Sequence, residues 1–187
     1  KDGYGFFRTG DMLNVRQNTQ AVLLKDGRVF ISGGWDTSEQ LWYNRALKST
    51  EIYDPKTGTF SYGPDLNVPR ERHTMLTMDD GRVLIAGGSG YSYMQNGSHD
   101  PVKKEKYSHI EIYDPKTNTI VLGPKLVENS RYQNAQILNI GDGEYLIGTR
   151  RNGVPGPKFL IYNSKNNTID LFHCGLKEIG NISYMTY

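Results

Sequence analysis

The stretch Asp80-Gly81-Arg82-Val83-Leu84-Ile85-Ala86-Gly87-Gly88 decides how this chain is read. Asp-Gly supplies the left-handed conformations of a tight hairpin. The apolar run that follows is nearly continuous, as in a strand covered on both faces. Gly-Gly ends it and permits a backbone approach that a Cβ would forbid. Asp26-Gly27-Arg28-Val29 repeats the opening 54 residues earlier, and Asp142-Gly143-Glu144-Tyr145 repeats it 62 residues later. A second mark keeps step with the first. Tyr53-Asp54-Pro55-Lys56-Thr57-Gly58-Thr59-Phe60 returns at Tyr113 to Ile120 and, degraded, at Tyr162 to Ile169. Gly63 to Leu66 returns at Gly123 to Leu126, and Gly10 to Leu13 holds the matching place ahead of the first unit.

Each unit reads as four short strands. In the second unit they fall at 73–78, 82–86, 110–113 and 119–122. Asp114-Pro115-Lys116-Thr117-Asn118 turns the third into the fourth, with Pro fixing φ and Asn tolerating the left-handed region. Gly123-Pro124 is read as the stop of the fourth strand. No segment of useful length has a helical period. Short strands at regular turn signals give an all-β fold. Four strands in a period near fifty give the blades of a β-propeller.

Composition agrees and narrows the function classes. The chain has 187 residues, of which 21 are Gly and 13 Tyr, favouring turns and aromatic strands over a helical bundle. It has no apolar run of about 18 residues, so no membrane-spanning helix is expected. The opening residues 1–10 show no basic-then-apolar signal pattern. A net charge of +2 is too small to demand nucleic acid or an acidic membrane. The lone Cys174 excludes an internal disulfide framework and a four-cysteine zinc site. It does not fix the compartment, which is expected to be extracytoplasmic or secreted.

The paired glycines Gly33-Gly34 and Gly87-Gly88, the tyrosines Tyr53 and Tyr113, and Phe60 in the fourth strand resemble the kelch repeats. The style of residues 80–88 is similar to kelch units of galactose oxidase-like and bacterial proteins. The likeness covers nearly the whole chain and implies a kelch-type β-propeller. The third unit departs from it, with Gly148-Thr149 in place of Gly-Gly and Asn163-Ser164 in place of Asp-Pro. Ile120 and Ile169 replace the fourth-strand aromatic.

The expected division is the end of a preceding blade at 1–13, blades at 14–66 and 67–126, a degenerate blade at 127–175, and the start of a following blade at 176–187. Closed propellers have about 4–8 blades. An end exposing about 400 Å² of apolar surface would forfeit roughly 10 kcal/mol. Further blades in a longer chain, or a homodimer of about six blades in all, would cover such ends.

Strand parity places the Asp-Gly hairpins and the Asp-Pro turns on one face, and the long loops and inter-blade links on the other. Tight turns leave little room for a site, so the loop face is the expected binding face. Its first loop holds Trp35, Trp42, Tyr43 and Arg45, residue types of interface hot spots and sugar-stacking platforms. The bland alternative is that these aromatics fold back and shield the blade. The second loop holds Tyr91 and Tyr93, and the third Arg150. The links add Arg16, Arg70, Arg72, His73 and Arg131. Arg16, Arg70 and Arg131 hold nearly equivalent places and would clamp an anion near a central channel. Alternatively, each bonds backbone carbonyls of the neighbouring blade, and recurrence in every unit favours this. Glu51 and Glu111 also recur and read as repeat architecture.

His73, His99, His109 and His173 lack metal-ligand spacing, so no metal is expected. Copper chemistry of the galactose oxidase kind is not matched by His173-Cys174. No nucleotide fingerprint or nucleophile elbow is present, and no cofactor is expected. The sequence reading is a kelch-repeat binding or scaffold module for a protein or glycan. Its alternative is a carbohydrate-active kelch enzyme, galactose oxidase-like or sialic acid mutarotase-like, with its site at the central channel.

Overall fold

Each of the three Asp-Gly marks folds into the inner hairpin of a four-stranded antiparallel sheet. The computed structural model describes residues 8–36, 45–90, 109–126, 135–149 and 158–172. Blade 1 comprises β1 (Gln20–Leu23), β2 (Val29–Ser32), β5 (Thr50–Asp54) and β6 (Thr59–Tyr62). Blade 2 comprises β7 (Glu71–Thr77), β8 (Val83–Ser89), β9 (His109–Asp114) and β10 (Thr119–Lys125). Blade 3 comprises β11 (Gln136–Gly141), β12 (Glu144–Thr149), β13 (Lys158–Asn163) and β14 (Thr168–Leu171). In each sheet the strands lie side by side in chain order. The degenerate third unit therefore still builds a blade. Among the described residues no helix is long and apolar enough to cross a membrane.

The hairpins are of two kinds. In blades 1 and 2 only the glycine is left-handed, at φ 91° for Gly27 and 90° for Gly81. Gly27 N–H donates to Leu24 O, and Leu24 N–H donates to Arg28 O, a three-residue loop with a glycine bulge. Blade 3 makes the tighter turn that Asp-Gly suggests, with Asp142 at φ 52° and Gly143 at 79°.

Two strand ends differ from the sequence reading. Gly87-Gly88 does not end the second strand: β8 runs through it to Ser89. Gly88, at φ 86°, lies so close to β7 that a Cβ would meet Glu71 O at 2.6 Å. Likewise, Gly123-Pro124 does not stop β10, which shifts register between Leu122 and Lys125 and continues. A short hairpin of β3 (Trp35–Asp36) and β4 (Arg45–Ala46), which sequence periodicity did not suggest, rises from the first long loop.

The core lies between blades. β8 is buried along its whole length. Val83 and Ile85 pack toward Leu24, Phe30 and Ile52 of blade 1. Leu84 and Ala86 pack toward Ile137, Ile147 and Tyr162 of blade 3. Phe30 stacks on Tyr113 across the first junction, with ring centroids 4.1 Å apart. Tyr113 donates its hydroxyl proton to Asn118 in its own turn, and Tyr162 does the same to Asn167. Each tyrosine thus fills an inter-blade core while its polar end stays satisfied. Away from these junctions, Leu23 of blade 1 and Leu138 and Ile140 of blade 3 remain exposed.

Candidate functional site

The arginines expected to clamp an anion are locked inside their blades. Arg16 reaches Glu51 at 2.6 Å, and both side chains have 0% exposure. Its Nη1 donates to Gly33 O at 2.8 Å and to Ser49 O at 2.9 Å. Arg70 reaches Glu111 at 2.8 Å, again with both side chains at 0% exposure. It also donates to Gly87 O and His109 O. The expectation of an anion clamp is therefore corrected for Arg16 and Arg70: each guanidinium is buried and paired with a carboxylate of its own blade, and of their nitrogens the Arg16 Nε has no partner among the described residues. The carbonyls belong to the arginine's own blade, not to the neighbour. The carboxylates also hold the incoming link, since Leu13 N–H and Asn14 N–H donate to Glu51 and Asn67 N–H to Glu111. In blade 3, Leu160 stands where the other blades carry this glutamate, pairing with Ile147 as Glu111 pairs with Ile85.

Trp42, Tyr43, Tyr91, Tyr93, Arg131 and Arg150 lie outside the described residues. Arg45 is described only as a backbone position in β4. Trp35 is placed in full. Half-buried in β3, it exchanges backbone hydrogen bonds with Gln17 at 2.9 and 3.0 Å. Its indole N–H donates to Gln17 Oε1 at 3.2 Å.

Blade 2 brings Arg72 over this tryptophan, with the guanidinium carbon 5.7 Å from the ring centroid. Arg72 has φ 53°, the left-handed region. Its backbone N–H donates to Asn18 O of blade 1. The side chain is 42% exposed, and its Nε stands 3.8 Å from Oε2 of the buried Glu71. That oxygen has no hydrogen-bond partner among the described residues. Trp35, Gln17, Asn18, Glu71 and Arg72 thus meet on the loop face at the junction of blades 1 and 2. Sequence reasoning named Trp35 and Arg72 but did not join them. The signal was the equivalence of Asn18 and Arg72, 54 residues apart in successive repeats.

Beneath this rim lies a buried pair that no sequence motif joins. His73 Nε2 is 2.7 Å from Ser32 Oγ, and the Ser32 hydroxyl is placed to donate to Met75 Sδ at 3.1 Å. His73 Nδ1 has no partner among the described residues. Burial, reinforced by the Arg70 charge, lowers the His73 pKa to about 3. The ring is therefore neutral at pH 7, and Ser32, fully buried, is a packing partner rather than an accessible nucleophile. Among unfolded chains His73 binds a proton below its ordinary 6.5. Stability is complete above that pH and is lost as pH falls toward 3. Of the charged groups nearby, Arg70 opposes protonation and Glu71 lies two residues away on the same strand. Unfolding free energies from urea denaturation at pH 7.5 and 4.5 are expected to differ by about 2–3 kcal/mol more in the native protein than in His73→Gln. An equal loss in both would overturn the assignment.

The turn face also holds more room than its tight turns suggest. A cleft of about 770 Å³ runs between Lys25-Asp26 of blade 1 and the Asp80–Arg82 and Asp114–Lys116 turns of blade 2. Asp26, Asp80, Arg82 and Lys25 among its charges are engaged locally. Arg28 bonds Asp26 and holds that carboxyl below its ordinary value. Burial pushes the Asp80 carboxyl up, but the bonds from Arg82 outweigh it and bring it down. Lys25 Nζ donates to Asp79 O.

Comparison with known proteins supports the fold more strongly than the chemistry. Residues 20–67 match the Kelch motif. Two galactose oxidase sequences from Gibberella zeae are each 30% identical to this chain over 96 residues, covering 50% of this chain and 11% of theirs. The chain thus spans about a tenth of the length of these curated relatives. A solved structure of YjhT superposes with a TM-score of 0.63 at 13% identity, covering 84% of this chain and 51% of that one. With a Kelch motif match at residues 20–67 and three four-stranded blades, the chain carries kelch-type repeats and has a β-propeller fold.

Proposed function

We propose that this kelch-repeat chain is a binding module that recognises a protein or glycan through its loop face. One observation carries the reading: on that face Trp35 and Arg72 stand together at a blade junction, with the guanidinium making no hydrogen bond to any described residue. The flanking loops would add Trp42, Tyr43, Arg45, Tyr91 and Tyr93, residue types that concentrate binding energy. Arg131 and Arg150 belong to the same proposal as loop-face cations. The test is a glycan array and a protein-partner screen with native protein and with Trp42→Ala/Arg45→Ala. The double variant is expected to lose about tenfold or more in affinity while its urea midpoint holds. Unchanged binding of a ligand that the native protein captures would remove these residues from the site.

A second reading, a carbohydrate-active enzyme, is supported by the likeness to galactose oxidase over half of the chain. Turnover of a galactoside or of sialic acid by the purified protein is its measure. For the exposed faces of blades 1 and 3 we propose further kelch blades as the cover, in preference to a second copy. The supporting fact is that this chain overlays 51% of the YjhT chain.

A further inference from the structure

We infer that the junction of blades 1 and 2 on the loop face is a subsite for a neutral glycan, gripped by Arg72 beside Trp35, Gln17 and Asn18. The inference rests on the loop-face binding reading and names its ligand class.

The backbone supplies the first argument. Successive repeats place a left-handed residue at the same point, Asn18 at φ 51° and Arg72 at φ 53°. Asparagine tolerates that conformation because its short side chain bonds locally; arginine does not share this ease. The fold therefore asks for Asn or Gly at position 72. Strain held at a residue whose side chain faces solvent points to a use for that side chain.

The charge balance supplies the second. Arg72 is an exposed cation of the junction, and the Glu71 carboxylate sits beneath it, its Oε2 accepting no hydrogen bond from the described residues. A guanidinium already faced by a carboxylate gains little Coulomb energy from a second anion in water. Its N–H donors remain directional, and the planar fork suits a pair of neighbouring hydroxyl oxygens. Beside it, the side chains of Gln17 and Asn18 are exposed amides. Gln17 is held in place by the Trp35 indole N–H. Amides that both donate and accept, an aromatic ring and a charge-neutralised arginine suit a polyhydroxylated, uncharged ligand better than an anionic one.

The experiment is calorimetric titration of the purified protein with cellohexaose, maltohexaose, mannohexaose and hexagalacturonate, at about 50 and 500 mM NaCl. At least one neutral hexasaccharide is expected to saturate, with affinity that salt leaves unchanged. Arg72→Asn installs the residue of the equivalent site in blade 1. It is expected to weaken that binding about tenfold or more, while the urea midpoint stays or rises. Binding of none of the neutral sugars overturns the glycan assignment but leaves recognition of a protein on this face standing. Salt-sensitive binding of hexagalacturonate alone overturns the neutral class. If Arg72→Asn binds as the native protein does while Trp42→Ala/Arg45→Ala fails, the junction is overturned and the loop face is retained. If neither variant loses a glycan that the native protein binds, both readings fall.

Discussion

Glu111→Ala is expected to destabilise the protein by about 3–5 kcal/mol, which is much of the stability of an ordinary domain. The variant leaves the Arg70 guanidinium buried with no carboxylate, and Arg70 has no route to water. It also strips the acceptor from Asn67 N–H and from the Asn67 side-chain amide. Urea denaturation of the two proteins measures the loss, and a shift under about 1 kcal/mol would refute the lock. Blade 3 suggests the control. There Leu160 occupies the glutamate's place, and the sheet still forms. Arg70→Met/Glu111→Leu removes both charges, so it is expected to recover part of what Glu111→Leu alone loses. The recovery should be incomplete, because Gly87 O and His109 O lose their donor.

Gly33→Ala is the second large effect, expected at about 2–4 kcal/mol. Gly33 is left-handed at φ 58°, and a Cβ there would lie 2.2 Å from Arg70 O. That carbonyl already accepts the N–H of Gly34 at 2.8 Å, so it cannot swing aside without breaking the tie between blades. The His73 ring stands 3.0 Å from the same point. Gly27→Ala is the comparison. Gly27 is also left-handed, but nothing lies within 4 Å of its Cβ position. It is expected to cost only the conformational term, about 1–2 kcal/mol. Equal losses in the two variants would show that conformation alone, without the close approach, explains Gly33.

The blades were legible in the chain because their marks are local. Asp-Gly, Asp-Pro and the apolar run of β8 each act within a few residues, and their order repeats. The strand ends at Gly87-Gly88 and Gly123-Pro124 were misjudged for the same reason. Read locally, glycine breaks a strand; here glycine lets β8 lie against Glu71 and His73 of β7. The site was less legible. The partners Ser32 and His73 are 41 residues apart and belong to different repeats. No periodicity in one sequence joins them. The arginine locks had a signal that was read only halfway. Arg16 and Arg70 recurred, and so did Glu51 and Glu111. Charges of opposite sign that recur together in each unit are candidates for each other before they are candidates for a ligand. Arg72 carried the opposite signal, a side chain that differs from its counterpart Asn18 while the backbone conformation is kept.

The locks have an evolutionary consequence. Arg16 closes on Glu51 and Arg70 on Glu111, each within a single repeat. A duplication that copies one unit copies both halves of its ion pair in a single event. No daughter ring is left with a stranded buried charge, so copies are tolerated from the first generation. Loss of one half of the pair alone, in contrast, strands a buried charge unless that charge finds water or another partner. Gain of blades is therefore an easier path for such a chain than remodelling of an existing blade.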